Sequence, residues 1–315
     1  MFDIKNILNV YYGIDSVNIS PQKGGWSALA YKVAGSDADY FLKVYDKKRA
    51  STAKWTALID DYAPIVQWLN DHTQLRGSLP VPVLTKSGAY KCEDDHGIYL
   101  LYEYIDGETI GDRPLHSGDI RKLAEITAEL HTYGEGIPVK TDRIKESFAV
   151  PFLRQMREWL GGALPGNTTE LFDPYVDSVY HMMEKAEELS DQLKSGSLRL
   201  ALCHTDIHNW NLMTSGREFI LIDWEGLKLA PVEADLMFFA DQPYFHEFMT
   251  IYWQVHKGFQ LDQQALRFYQ LRRRLEDVWE FAEQLVFDCQ TEQERAETVT
   301  AIEKELKGIK ATKFD

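Results

Sequence analysis

Between Cys203 and Glu225 the chain reads CHTDIHNWNLMTSGREFILIDWE. A His-Thr-Asp run ends at Asp206, an asparagine follows five positions later at Asn211, and a second aspartate, Asp223, closes a short apolar run. Phosphoryl transfer from a nucleotide asks a protein for little covalent chemistry but much positioning and charge neutralisation. One carboxylate must orient an acceptor hydroxyl and take its proton. An amide and another carboxylate must hold Mg²⁺ against the phosphates. Asp206, Asn211 and Asp223 have the types and spacing for those three parts. Asp and Asn are also common in loops, so H-x-D-x-x-x-x-N alone is a weak signal. The apolar strand ending in Asp223 makes the combination specific.

Such side chains converge only if strand ends bring them together. Leu200–Cys203, Asn211–Thr214 and Phe219–Ile222 read as short strands, which would place all three at strand termini. Upstream, Val17–Ser20, Ala28–Val33 and Tyr40–Tyr45 have strand character, with Lys23-Gly24-Gly25-Trp26-Ser27 between the first two. A glycine pair joining two strands is an ordinary hairpin turn. It also lets backbone N–H groups and the Ser27 hydroxyl approach phosphates closely. Lys43 interrupts an apolar strand, YFLKVY. It must either snorkel to solvent at an edge or meet an anion, because an unpaired buried ammonium is costly.

The run HTDIHNWN, followed by IDWE and APVEADLMF, resembles the aminoglycoside phosphotransferase family of the protein-kinase-like superfamily, most closely the spectinomycin phosphotransferase branch. The resemblance covers nearly the whole chain and is specific mainly from Cys203 to Phe239. It implies an α+β, bilobal protein-kinase-like fold, with a small, mainly antiparallel β N-lobe and a larger, mainly helical C-lobe. The boundary falls at 1–104 and 105–315. By the same resemblance Asp206 is the catalytic base, Asn211 and Asp223 are the metal ligands, and His204 and Asp235 brace the catalytic loop. The loop with Gly24, Gly25 and Ser27 lies over the nucleotide, and Lys43 binds its α- and β-phosphates. The strand Ile98–Tyr104 runs into a hinge, where the Glu103 carbonyl and the Ile105 N–H read the base; ATP and GTP are both compatible with backbone readout.

The sequence departs from the family at the partner of Lys43. Kinase-like folds pair this lysine with a glutamate on the next helix, yet Lys54–Asn70 has no Glu, and Tyr62 stands where that residue is expected. Asp60 and Asp61 are the nearest carboxylates; Asp61 shares a helical face with Ile65 and Leu69, although Pro64 crowds that helix. A second departure concerns the acceptor. Only eight positions separate Asp223 from Pro231, and Thr205 follows His204 where protein kinases carry an arginine. Both point to a small-molecule acceptor and constitutive activity.

The rest of the chain reads as scaffold. Phe2–Tyr12 is a short amphipathic helix before Gly13, and Ser117–Thr132 is apolar at 120, 123, 124, 127 and 130, the pattern of a core-facing helix. Gly161–Thr169 reads as a loop, Leu171–Lys194 as a helix, Pro231–Phe239 as a helix start, and Pro243–Leu306 as helical. The aromatics of that last part (Tyr244, Phe245, Tyr252, Trp253, Phe268, Trp279 and Phe281) fit core packing. The alternative is an acceptor pocket beside Glu225, Asp241 or Glu276, where carboxylates and rings would hold an ammonium group.

At 315 residues and 44% hydrophobic, the chain can bury a large core. Lys+Arg 34 against Asp+Glu 49 gives a net charge of −15, which argues against nucleic acid and anionic membranes and fits a cationic small substrate. Three cysteines without metal spacing read as reduced thiols. No run resembles a signal peptide or a spanning helix, so a cytoplasmic protein, monomer or weak dimer, is expected. The expected activity is transfer of a nucleotide γ-phosphate to a hydroxyl of a small cationic molecule, with an aminoglycoside or aminocyclitol antibiotic favoured. A kinase for choline, homoserine or a sugar is the nearest alternative, and a catalytically inactive nucleotide-binding pseudokinase the alternative of another class.

Overall fold

Alternation along one strand sets the frame of the site. In the computed structural model, which describes residues 2–15, 17–22, 24–25, 27–163 and 169–312, Lys43 lies in β3 (Asp39–Asp46). That strand sits between β2 (Leu29–Ala34) and β5 (Gly97–Glu103) in a five-stranded antiparallel sheet of order β1-β2-β3-β5-β4, where β1 is Asn18–Gln22 and β4 is Cys92–Glu93. Successive side chains of a strand point to opposite faces. Leu42 and Val44 therefore share a face with Tyr99 and Leu101, and this face is buried against the N-terminal helix through Ile4, Ile7 and Leu8. Lys43 pairs in register with Leu100, Tyr45 with Ile98 and Phe41 with Tyr102, so these residues form the opposite face. The strand is interior to the sheet, which removes the edge position a snorkelling lysine would need.

The chain divides into two compact units. The first comprises Met1–Lys48, Thr52–Lys145 and Leu200–Gln260, and so contains both the five-stranded sheet and the Cys203–Glu225 stretch. Within it, helix Ile59–His72 runs through Pro64, which lies near its start, where a missing donor costs only the bond to the Asp60 carbonyl. This helix buries Ile59, Tyr62, Ala63, Ile65, Val66 and Leu69 and packs against the turn Trp224–Gly226. Strand β6 (Glu108–Thr109) pairs with β8 (Leu212–Ser215), which pairs with β9 (Glu218–Leu221). Strand β7 (Ala201–Cys203) pairs antiparallel with β10 (Lys228–Ala230). Helix Ser117–Leu130 packs on helix Phe245–Val255.

The second unit comprises Arg49–Ser51, Glu146–Arg199 and Leu261–Asp315. It is built around helix Gln263–Phe287, which packs on Val176–Ser195 and on Glu292–Ala311. The Trp159 and Trp279 rings meet at 4.4 Å there.

Several expected elements are modified. The Leu171–Lys194 helix is interrupted at Asp173–Tyr175 by a 3₁₀ turn, because Pro174 has no N–H to continue the ladder. The helix expected from Pro231 is confined to Glu233–Leu236. Of the Gly161–Thr169 loop, residues 161–163 end the turn Trp159–Ala163, which Gly162 breaks with a φ of 117°; Thr169 opens a helix, and residues 164–168 lie outside the described residues, as do Lys23 and Trp26. Tyr252, Phe268 and Trp279 are buried core, in agreement with the packing reading, whereas Trp253 is exposed. No helix among the described residues is long and apolar enough to cross a membrane.

Candidate active site

The loop after β7 carries His204, Thr205 and Asp206, and its shape is imposed by a buried carboxylate. Thr205 adopts a left-handed backbone (φ 67°), an outlier for a β-branched residue that persists only where the surroundings enforce it. Asp235, fully buried, accepts the His204 N–H at 3.0 Å and the Thr205 N–H at 2.6 Å. It also accepts His131 Nε2–H at 3.0 Å. Thr205 Oγ1 donates to the Gly226 carbonyl at 2.7 Å, a crossing so close that a Cβ on Gly226 would lie 2.6 Å from Thr205 Oγ1. The glycine is required by this approach rather than by its φ.

His204 links the two acids. Its Nε2–H donates to the Ile222 carbonyl at 2.9 Å, while its Nδ1 accepts the Asp206 N–H at 3.3 Å. Burial lowers its pKa against the pull of Asp235 and Asp206, so the ring is the neutral Nε2–H tautomer at pH 7 and works as a strut.

Asn211 ends a 3₁₀ turn just before β8 and is buried. Its Nδ2 donates to both the backbone carbonyl and Oδ2 of Asp206, each at 2.9 Å. With both amide protons spent on Asp206, the oxygen of Asn211 is the end offered to a cation. The Asp206 Oδ1 lies 3.4 Å from His208 Nε2. Asp223 follows β9 in a left-handed conformation (φ 67°, ψ 64°), and Ile222 N–H donates to the Asn211 carbonyl at 2.9 Å, which keeps Asn211 and Asp223 on adjacent chains.

Lys43 Nζ lies 2.6 Å from Asp223 Oδ1 and 2.5 Å from Glu225 Oε1. Tyr45, on the same face of β3, donates its hydroxyl to Glu225 Oε1. Burial alone would lower the lysine pKa, but Asp223 and then Glu225 outweigh it and hold it well above its ordinary value. Burial would likewise raise Glu225, yet Lys43 first, then Tyr45, hold it below the usual carboxylate range. The Tyr45 and Tyr62 hydroxyls are pushed upward, mainly by burial.

The expected partner of Lys43 is thus corrected. Neither Asp60 nor Asp61 reaches it: Asp60 pairs with Lys91 at 2.8 Å and Asp61 with Arg143 at 3.2 Å. Asp60 lies on the exposed side of the helix, and Asp61, in line with the buried Ile65 and Leu69, is spent on Arg143. Glu225, weighed from sequence as an acceptor-pocket residue, turns to Lys43 instead, and Asp241 is exposed. The signal available in sequence was the second acid of IDWE, two positions past Asp223.

Among the described residues, the remaining expected ones make no polar contact with this cluster. Gly24, Gly25 and Ser27 join β1 to β2, with Gln22 paired to Ala30 and Ala30 to Lys43. A Cβ on Gly24 would meet the Ala28 carbonyl at 2.7 Å, so the turn demands a glycine there. Glu103 ends β5 and Ile105 follows it in coil, the Tyr104 N–H donating to the Asp39 carbonyl at 3.0 Å. A surface cavity beside these residues is lined by Lys32, Ala38, Asp39, Glu103, Tyr104 and Asp106, and by none of the three central polar residues.

The donor set fits magnesium. Mg²⁺ takes oxygen ligands, commonly one or two carboxylates completed by phosphates and waters. The Asp223 carboxylate, 36% exposed, and the Asn211 amide oxygen are of that kind.

The model of the phosphotransferase enzyme family matches residues 18–285. A comparison with curated protein sequences finds no match. Among solved structures, spectinomycin phosphotransferase APH(9)-Ia, in complex with ADP and spectinomycin, superposes with a TM-score of 0.76 at 19% identity over 98% of this chain and 97% of that one. A microcompartment-associated aminopropanol kinase follows at TM-score 0.64, 13% identity and 98% and 96% coverage. The choline kinase LicA from Streptococcus pneumoniae gives 0.62, 15%, and 97% and 98%. These likenesses establish the α+β, kinase-like fold. With its family model matched across most of its length, the chain belongs to the phosphotransferase enzyme family.

Proposed function

We propose that the protein transfers the γ-phosphate of ATP or GTP to a hydroxyl of a small, cationic molecule, with an aminoglycoside or aminocyclitol favoured as acceptor. The observation that carries this reading is the convergence of Asp206, Asn211, Asp223 and Lys43 in one hydrogen-bonded set. A pseudokinase has no need to keep all four. Asp206 accepts the proton of the acceptor hydroxyl, with Asn211 holding one carboxylate oxygen in place and the braced loop fixing the backbone. Lys43 meets the α- and β-phosphates, and the loop with Gly24, Gly25 and Ser27 covers them. Asn211 and Asp223 would hold Mg²⁺, which when bound neutralises phosphate charge. The Glu103 carbonyl and Ile105 N–H take the base. In this scheme residues 1–104 are the nucleotide-binding lobe and 105–315 the catalytic and acceptor-binding lobe. The acidic balance of the chain supports a cationic acceptor.

A second reading is a metabolite kinase acting on an amino alcohol. Two of the similar structures, an aminopropanol kinase and a choline kinase, favour it. A phosphate-transfer screen with γ-labelled ATP decides between the two, with spectinomycin, hygromycin, choline, aminopropanol and homoserine as acceptors. Label on an aminocyclitol supports the first reading; label only on the amino alcohols or homoserine removes the antibiotic. If nothing is labelled although ATP binds, the pseudokinase stands.

A further inference from the structure

Lys43 has two carboxylate partners of different character. Asp223 is 36% exposed, so it can turn to a cation or be displaced. Glu225 is 6% exposed, and withdrawing it from Lys43 would leave a buried charge unpaired. Three further contacts hold it. Tyr45 donates to the same oxygen that meets Lys43. The adjacent Trp224 is buried, its Nε1–H donating to the Leu221 carbonyl at 2.7 Å and its ring edge-on to His204 at 4.8 Å. The turn Trp224–Gly226 packs on helix Ile59–His72. That helix carries Tyr62, a fully buried ring, where the family glutamate is expected. The two acids of its first turn are engaged elsewhere, Asp60 with Lys91 and Asp61 with Arg143.

We infer that Glu225 is the positioning residue for Lys43, seated on the turn that follows Asp223 instead of on a helix, and that the Tyr45 hydroxyl fixes its orientation. This rests on the nucleotide-phosphotransferase reading and adds a residue to it. A lysine facing two carboxylates can release one when phosphates arrive and still keep its charge and direction through the other. The partner is two residues from Asp223, so the lysine and the metal-holding carboxylate are set by one turn. Helix Ile59–His72 contributes packing and no charge, and the site assembles without a helix having to bring in a carboxylate.

The rival use of a carboxylate at this point is to hold the metal, and the two are separable. ATP binding to the full chain is measured by calorimetry with Mg²⁺ and again with EDTA. For Glu225→Gln the inference expects ATP binding weakened ~10–100-fold, as for partners that orient a contacting group. The weakening should be equal in both arms, with an unchanged half-saturating Mg²⁺ concentration. Tyr45→Phe, which removes one hydroxyl, should weaken it in the same sense by ~3–10-fold, and it decides the matter if Glu225→Gln does not fold. Wild-type affinity in the variants overturns the inference. So does a loss confined to the Mg²⁺ arm with a raised half-saturating concentration, which would make Glu225 a metal ligand. If the wild-type chain binds no ATP in either arm, the nucleotide reading itself falls, a result distinct from the others.

Discussion

Each compact unit contains a buried cation held between two carboxylates, and the two clusters are built to different ends. In the second unit Arg272 meets Glu146 at 3.0 Å and Glu276 at 2.8 Å. Glu146 is 2% exposed; its other oxygen accepts the Ser147 and Phe148 N–H groups at 2.8 and 2.7 Å, and the Tyr269 hydroxyl donates to the oxygen that meets Arg272. Burial would lower the arginine pKa, but Glu276 and Glu146 push it up. Glu146 pins the left-handed Phe148 (φ 56°), while Glu276 stays 26% exposed. In the first unit Lys43 has one such closed partner, Glu225, and one open partner, Asp223. The left-handed backbone there belongs to Asp223 itself. A cluster whose inner carboxylate has both oxygens engaged, as Glu146 does, stabilises a loop. One that leaves a carboxylate exposed on a constrained backbone is arranged to exchange partners.

Four experiments would break or sharpen that contrast. The largest effect is expected at Asp206. Replacement by Asn should lower kcat by ~10²–10⁴, the usual loss for a positioned base, while the melting temperature holds; wild-type turnover would remove the base assignment. Next comes Arg272→Met, which strands the 2%-exposed Glu146 and should cost ~3–5 kcal/mol of stability. The readout is the urea midpoint, with ATP affinity of the folded protein preserved; an unshifted midpoint would show that the Arg272 cluster does not hold its unit together.

Asp223→Asn, at the open partner, should raise the half-saturating Mg²⁺ concentration ~10-fold or more, and an unchanged metal titration would deny it the ligand role. The smallest effect concerns Asp277, whose carboxyl burial pushes up to about 6 against the pull of Arg273. Its folded pKa lies above the unfolded value near 3.8, so the folded state binds the extra proton. Stability should therefore fall as pH rises from about 4 to about 6. Thermal melts across that range should lose this slope in Asp277→Asn, and an identical slope in the variant would discard the assignment.

Local geometry explains why much of the site was legible beforehand. From Asp206 to Asn211 the side chains meet across five residues of one loop, and the path to Asp223 is a single hairpin. Spacing alone constrains such a distance. The brace by Asp235 followed from resemblance, and its bonds to His204 and Thr205 match it. The partner of Lys43 was not legible, because 182 residues separate it from Glu225 and the choice depended on which cations the helix acids meet. The break at Pro174 was not read from the sequence, because whether a helix bends or stops at a proline depends on what it packs against.

The sequence by itself determined the family, the strand-borne lysine and the identities of the three central polar residues, since these depend on residue type and short-range order. Tertiary structure alone decided which carboxylate faces Lys43, which cations Asp60 and Asp61 meet, and which aromatics are core. Those are contests between distant segments for the same buried volume and the same charge. A buried ammonium takes whichever carboxylate the packed backbone brings within reach, and composition and periodicity do not carry that distance.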